Sequence, residues 1–292
     1  MIASTSTRHR TISLCYWNTV SNFGDSLSPY LISKITGCEV KRASFKDKEK
    51  LVAIGSLIRS STLFSQSHIW GSGSLTRDPF RKVPIYSLHK HIQNWYKRSF
   101  KQSIIYALRG PLTESICEKA GFKVPRVYGD PAILIPRFYQ PKPLTADKHK
   151  IGLVLHHTQS NQLKNLDSDL FKVISVARST PHEIENFIDE LASCESIFSS
   201  SLHGVIVAQA YGIPAQWITV KDSPIHDDQN FKFEDYFLGA GQEVQRPINI
   251  KLAAEDLKDL KLVTPAKINR KQLTETAGNL LKSFPPLDLI AN

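Results

Sequence analysis

The sequence predicts an α/β protein of two Rossmann-like domains facing across a cleft, with a helical C-terminal tail. Three observations carry this reading. Short β-branched or aromatic runs alternate with stretches of helical periodicity, which is the pattern of βαβ units. In the first half, each run after the first ends directly in a glycine-bearing loop. Between Pro136 and Lys150, a proline- and lysine-rich stretch without apolar periodicity reads as a linker. The expected domains are therefore residues 1–145 and 146–292.

Taken in order, Thr11 to Trp17 is the first strand, and the polar loop Asn18 to Gly24 leads into a helix from Asp25 to Ile35 that Gly37 ends. Leu51 to Ile54 stops at Gly55, and His68-Ile69-Trp70 runs into Gly71-Ser72-Gly73. Ile104 to Ala107 leads into Arg109-Gly110-Pro111. Pro111 suits a first helical position, and Gly121 a left-handed cap for the helix Leu112 to Ala120. Arg126-Val127-Tyr128 then reaches Gly129-Asp130-Pro131 as a further strand. In the second half, Ile151 to Leu155 ends at His156-His157, and Phe171 to Val176 follows. Thr180-Pro181-His182-Glu183 forms a capping box that starts a helix through Leu191. Ser196-Ile197-Phe198 is a strand, Leu202 to Tyr211 a helix closed by Gly212, and Ala215 to Val220 a strand. The tail from Ala253 to Phe284 reads as mainly helical.

With 292 residues, 41% of them hydrophobic, the chain has ample material for a core, which excludes a disordered or fibrous class. No apolar run approaches the roughly 18 residues of a membrane span. The first residues lack the apolar middle of a secretion signal, so a soluble cytoplasmic protein is expected. Cys15, Cys38, Cys117 and Cys194 lie far apart with no CxxC pair, and are expected to be unpaired buried thiols. Lys and Arg number 37 against 27 Asp and Glu, a net charge of +10. That excess suits an anionic partner, whether nucleic acid, a membrane surface or a small phosphorylated substrate.

Chemistry is expected beyond the carboxyl ends of the strands, where doubly wound sheets hold their ligands. Ser199-Ser200-Ser201-Leu202-His203 runs from a strand into a helix start, a place that binds phosphate or carboxylate, and His203 in the first turn can add a proton. Alternatively, the serines cap the helix and His203 packs between the domains. Arg109 can grip a carboxylate or phosphate with two prongs, or pair with Glu114 or another acid. Asn18, Asn22, Gly24 and Asp25 can meet sugar hydroxyls or take a proton, while Asp25 can equally be a helix N-cap. Gly71-Ser72-Gly73 can admit a phosphate or merely turn. No G-x-G-x-x-G or Walker sequence occurs, which removes the usual support for dinucleotide redox chemistry and NTP hydrolysis. Asp130 reads as structural. His156-His157 has no matched carboxylate or cysteine, so no metal site is expected. The basic and aromatic segment His89 to Lys101, with Trp95 and Tyr96, suits a solvated helix face, or an anionic membrane or lipid diphosphate.

Five segments, in order, resemble the polysaccharide pyruvyl transferase family: Asn22-Phe23-Gly24-Asp25 with Leu27-Ser28-Pro29-Tyr30-Leu31, Gly71-Ser72-Gly73, Leu108-Arg109-Gly110-Pro111-Leu112-Thr113, Tyr128-Gly129-Asp130-Pro131-Ala132, and Ser200-Ser201-Leu202-His203-Gly204. The resemblance implies a glycosyltransferase-B-like fold, an acceptor side in the first domain and a donor side in the second. It implies phosphoenolpyruvate as co-substrate with no cofactor or metal. The acceptor it implies is a saccharide of a bacterial exopolysaccharide or capsule repeat, linked to undecaprenyl diphosphate, with a peripheral contact at the inner membrane face and no nucleic-acid partner. Arg109 and His203 match the positions such enzymes use for the donor, with Ser200, Ser201, Leu202, Gly71, Ser72 and Gly73 beside them. Asn18, Asn22, Gly24 and Asp25 fall to the acceptor, with Asp25 positioning or deprotonating its hydroxyl. A glycosyltransferase of the same architecture, using a nucleotide-sugar, is the alternative; Glu183 and Glu195 would be its nucleotide-binding carboxylates.

Overall fold

In the computed structural model, residues 10–80, 103–142, 149–159, 170–221, 223, 225, 228–252 and 257–291 are described. Two wholly parallel five-stranded sheets form the frame. The first contains β1 (Thr11–Cys15), β2 (Glu39–Ala43), β3 (Leu51–Val52), β4 (His68–Trp70) and β5 (Ile104–Ala107), in the order β2-β1-β3-β4-β5. The second contains β6 (His149–Val154), β7 (Phe171–Val173), β8 (Cys194–Ser199), β9 (Ala215–Val220) and β10 (Ile248–Ile250), in the order β7-β6-β8-β9-β10. The two windings are the same. In each, the chain lays its second strand on one side of the first and its third on the other, so a crevice opens at the carboxyl ends between β1 and β3, and between β6 and β8.

Helices follow the local signals closely. α1 (Phe23–Thr36) ends at Gly37, whose φ of 68° is left-handed and whose N–H returns to the Ser33 carbonyl. α2 (Ser60–Leu63) is a single turn after β3. α3 (Pro111–Lys119) has proline in its first turn. α4 (Pro181–Ala192) carries the expected capping box: Thr180 Oγ1 accepts from the Glu183 N–H, and Glu183 Oε2 accepts from the Thr180 N–H. α5 (Leu202–Ala210) leaves β8, α6 (Gln229–Gly239) leaves β9, and α7 (Arg270–Lys282) and α8 (Leu287–Ile290) close the chain.

Several expectations are corrected. α1 begins at Phe23 with Asn22 as its N-cap, so Asp25 sits inside the first turn and is not the cap. Arg126 to Tyr128 is no strand; a single bridge joins Tyr128 to Leu108, because Pro125 offers no N–H and Arg126 takes a φ of 45°. The stretch after Pro136 is tethered: Pro136 lies within a buried 3-10 helix, Pro131–Arg137, and Tyr139 and Lys142 both bond to Asp189 of α4. Residues 143–148 lie outside the described set. The described part of the tail is mainly helical, as expected: Leu257 and Lys258 are helical, a 3-10 turn follows at Asp259–Leu262, and the long helix runs from Arg270 to Lys282. It crosses back to the first sheet, where Leu280 accepts from Trp70 Nε1 at 2.9 Å, Phe284 packs edge-on to Trp70, and Ala291 bridges Ile12.

The main core runs through both sheets. Phe23 of α1 stacks on Phe187 of α4 with centroids 3.9 Å apart, and the Phe23 N–H donates to the Val176 carbonyl. Cys15, Cys117 and Cys194 are buried and Cys38 is only partly so, none of them in a disulfide, and burial pushes the Cys15 and Cys117 thiols up to about 11 and about 12. No helix of the described residues is long and apolar enough to cross a membrane. The basic segment around Trp95 lies outside the described residues.

Candidate active site

α6 brings the two halves together. Phe233 stacks on Trp217 of β9 with centroids 4.4 Å apart, and the Tyr236 hydroxyl donates to Gln209 of α5. From the same helix, the fully buried Asp235 reaches across to the first half. It accepts from Arg109 Nε at 3.0 Å, and from the backbone N–H and hydroxyl of Thr113 at 2.9 and 2.6 Å. Arg109 Nη1 donates to Ser56 Oγ, and Nη2 to the Ser74 carbonyl. The pairing partner is thus Asp235, while Glu114 takes the Tyr128 hydroxyl instead. Arg109 is fully buried, and its fork is occupied on every side that these bonds define.

Gly71-Ser72-Gly73 shapes this wall. Ser72 donates to the Gly55 carbonyl and accepts, through its own carbonyl, the Arg109 N–H. A Cβ at Gly73 would fall 2.2 Å from Arg109 Cζ, so only glycine lets the guanidinium lie there. The segment is buried and bonded within the protein.

The serines after β8 are likewise engaged: Ser199 Oγ donates to the Val154 carbonyl, and Ser200 Oγ donates to Gln159 and accepts from the His156 N–H. Ser201 is the N-cap residue of α5 but provides no side-chain cap. His203, in the first turn after Leu202, is different. Its Nε2 is buried without a hydrogen-bond partner and faces Asp130 Oδ2, 3.8 Å away and equally unpartnered. Asp130 is therefore both structural and more: Oδ1 caps the Pro131–Arg137 turn by accepting from the Ala132 N–H, while Oδ2 looks at the imidazole. Buried polar atoms are almost always paired, so two orphans facing each other mark a place built for something else.

Burial governs the charges here. It pushes the Asp130 carboxyl up to about 6 and His203 down to about 3, the latter aided by Lys232 and Arg109. Lys232, from α6, is itself pushed down to about 8, mainly by burial and then by Arg109. No described residue accepts a hydrogen bond from its ammonium, which lies 5.6 Å from the Phe233 ring centroid and whose pKa is drawn up by the Asp25 carboxylate. Asp25 is pushed up to about 6 by burial, against the pull of Asn22, whose amide donates to it at 2.8 Å, and of Lys232. His157, at the end of β6, also feels Lys232 and is pushed down by burial. Asn18 is exposed in the loop that leads to Asn22.

The structure thus sets Asp25 and His203 in the field of Lys232, with Asp130 facing His203 and Arg109 behind. Among the described residues no three His, Cys, Asp or Glu side chains converge to hold a metal. Lys232 and Asp235 went unseen in the sequence, although Phe233, Tyr236, Phe237 and Ala240 are spaced for one buried helix face. A lysine and an aspartate among those apolar positions were the signal.

Gly24 fixes the imidazole from the other side: a Cβ there would lie 2.1 Å from His203 Nδ1. Gly24→Ala is therefore expected to rotate His203 off Asp130 and to lower turnover at least about tenfold, with the melting temperature little changed. Steady-state rates and a thermal melt on that variant check it.

A sequence model of the family described as polysaccharide pyruvyl transferase matches residues 68–222, just over half of the chain. The chain is also 25% identical over 244 residues to an uncharacterized protein of Acanthamoeba polyphaga mimivirus, covering 82% of this chain and 78% of that protein. No solved structure matches.

Proposed function

Since the chain belongs to the polysaccharide pyruvyl transferase family, a family of transferase enzymes, we propose that it transfers pyruvate from phosphoenolpyruvate to two hydroxyls of a saccharide, closing a cyclic ketal. The observation that carries this reading is the orphaned pair His203 Nε2 and Asp130 Oδ2 beside the unbonded ammonium of Lys232. A small donor carrying a carboxylate and a phosphate suits that ammonium, the uncapped start of α5 and the field of Arg109. The two windings would serve as the donor and acceptor halves of a glycosyltransferase-B-like enzyme, with the acceptor a lipid-linked repeat unit.

In the free enzyme the imidazole is neutral at pH 7. The donor's negative charge raises its pKa, so His203 becomes an acid only with donor in place, held by Asp130. His203 gives its proton to the methylene carbon, and the central carbon becomes electrophilic. One hydroxyl adds there and passes its proton to Asp25, which is ionised at pH 7. The C–O bond to phosphate breaks, and the second hydroxyl closes the ketal. Of the two hydroxyl protons, one replaces that taken up by the methyl carbon and the other leaves with phosphate. Arg109 acts through its charge and by fixing Asp235 and α6, since its fork is filled. Glu183 is consumed by its capping box, which leaves a nucleotide-sugar donor without that carboxylate.

Phosphoenolpyruvate is expected to raise the melting temperature, and UDP- or GDP-sugars are not; the reverse would overturn the reading. Lys232 adds a pH signature. Its folded pKa of about 8 lies below the ordinary 10.5, so its contribution to stability is present above pH 10.5 and is lost as pH falls towards 8. A bound anion pulls that pKa back up, so donor binding at pH 8.5 takes up protons, measurable by calorimetry in buffers of different ionisation heat. Lys232→Met should melt several degrees higher at pH 7, abolish the proton uptake and lose donor stabilisation.

A further inference from the structure

At the other winding reversal, between β1 and β3, three side chains from adjacent strand ends meet. Trp17 follows β1, Phe45 follows β2 and Arg59 stands on the loop after β3. The Trp17 and Phe45 rings lie 4.7 Å apart, tilted by 53°. The Arg59 guanidinium lies 5.1 Å from the Trp17 centroid and 4.5 Å from that of Phe45. Rings hold the guanidinium by its faces, so its N–H edge is left for something else. No described residue pairs a carboxylate with Arg59, and no described side chain or carbonyl accepts from its guanidinium. Trp17 is 36% exposed, a large indole held at the rim of the crevice where a sheet of this winding takes its ligand.

From these residues we infer that Trp17, Phe45 and Arg59 form the docking platform for a pyranose ring of the acceptor. The C–H face of the ring lies on the indole, and vicinal hydroxyls accept from the guanidinium. A neighbouring cation, Lys50, is spent on the Asp47 carbonyl and Ser65, while the two rings offer a pyranose an apolar face. The platform adjoins the reaction centre on two routes. Trp17 opens the same loop that ends at Asn22, whose amide donates to Asp25 in the first turn of α1, and Arg59 shares a loop with Ser56, which accepts from Arg109. A sugar on Trp17 would thus present hydroxyls towards Asp25. The inference rests on the pyruvyl-transfer reading for what happens to the sugar, and on the crevice alone for its binding.

Saturation-transfer NMR with methyl β-D-galactopyranoside, methyl β-D-glucopyranoside and methyl β-D-mannopyranoside tests it, alongside the thermal shift by phosphoenolpyruvate. At least one glycoside should bind the wild-type protein. Its affinity should fall tenfold or more in Trp17→Ala and in Arg59→Gln, be largely retained in Trp17→Phe, and leave the phosphoenolpyruvate shift unchanged in all three. Failure of all three glycosides to bind wild type, or undiminished binding by Trp17→Ala or by Arg59→Gln, overturns the platform. A wild-type protein that binds a glycoside with this variant pattern but shows no phosphoenolpyruvate shift keeps the platform and sinks the donor assignment.

Discussion

The variant His203→Ala is expected to form ketal at least about a hundredfold more slowly than wild type, the lower bound for a positioned general acid. Its fold should survive. The imidazole contributes an unpartnered nitrogen to a buried site and stays neutral down to a pH of about 3, so removing it strips no buried ion pair. The sign of its pH effect is also fixed. A depressed histidine pKa supplies stability above pH 6.5 that is lost as pH falls through the folded value, so wild type should lose stability between pH 6.5 and 3 and the variant should lose less. Initial rates with an excess of both substrates, and melts at pH 4 and pH 7, read the two halves of this expectation. Near-normal turnover would remove His203 from the acid role.

Asp235→Ala is the change expected to damage the fold most. It leaves the fully buried Arg109 without its counter-charge and Thr113 without the acceptor of its N–H and hydroxyl. Breaking a buried pair from one side costs about 3–5 kcal/mol. For a chain of this size that lowers the melting temperature by roughly 10 °C. Arg109→Met joined to Asp235→Leu should recover part of the loss, because neither charge is then stranded although Thr113 still lacks its acceptor. A double mutant no more stable than Asp235→Ala would mean that the pair is not what holds α6 to α3.

Much of this was legible locally. Gly37, Gly121 and Gly212 mark helix ends with left-handed backbone, and Thr180 and Glu183 announce a helix by chemistry that four residues contain. The loops after β4, β5 and β8 point to the site because strands of a parallel sheet present their carboxyl ends together. What stayed hidden depends on partners remote in sequence. β2 reads Glu-Val-Lys-Arg-Ala and looks like a charged loop, yet it pairs along its length with β1 as an edge strand, where charge is tolerated. Asp235 looks like one acid among many until Arg109, 126 positions away, is laid against it. Lys232 looks like a surface lysine until its helix is turned inward. The opposite error fell on Arg126 to Tyr128, where apolar and aromatic content suggested a strand that Pro125 and a left-handed Arg126 prevent.

The return of the last helices to the first sheet has a consequence for how the molecule is made. Trp70 is completely buried, yet its indole N–H is satisfied by Leu280 and its edge is covered by Phe284. A growing chain folds its early segments as they emerge, at some 5–20 residues per second. Here the half that leaves the ribosome first must wait, with Trp70 and the Ile12 edge uncovered, until residues 270–291 arrive.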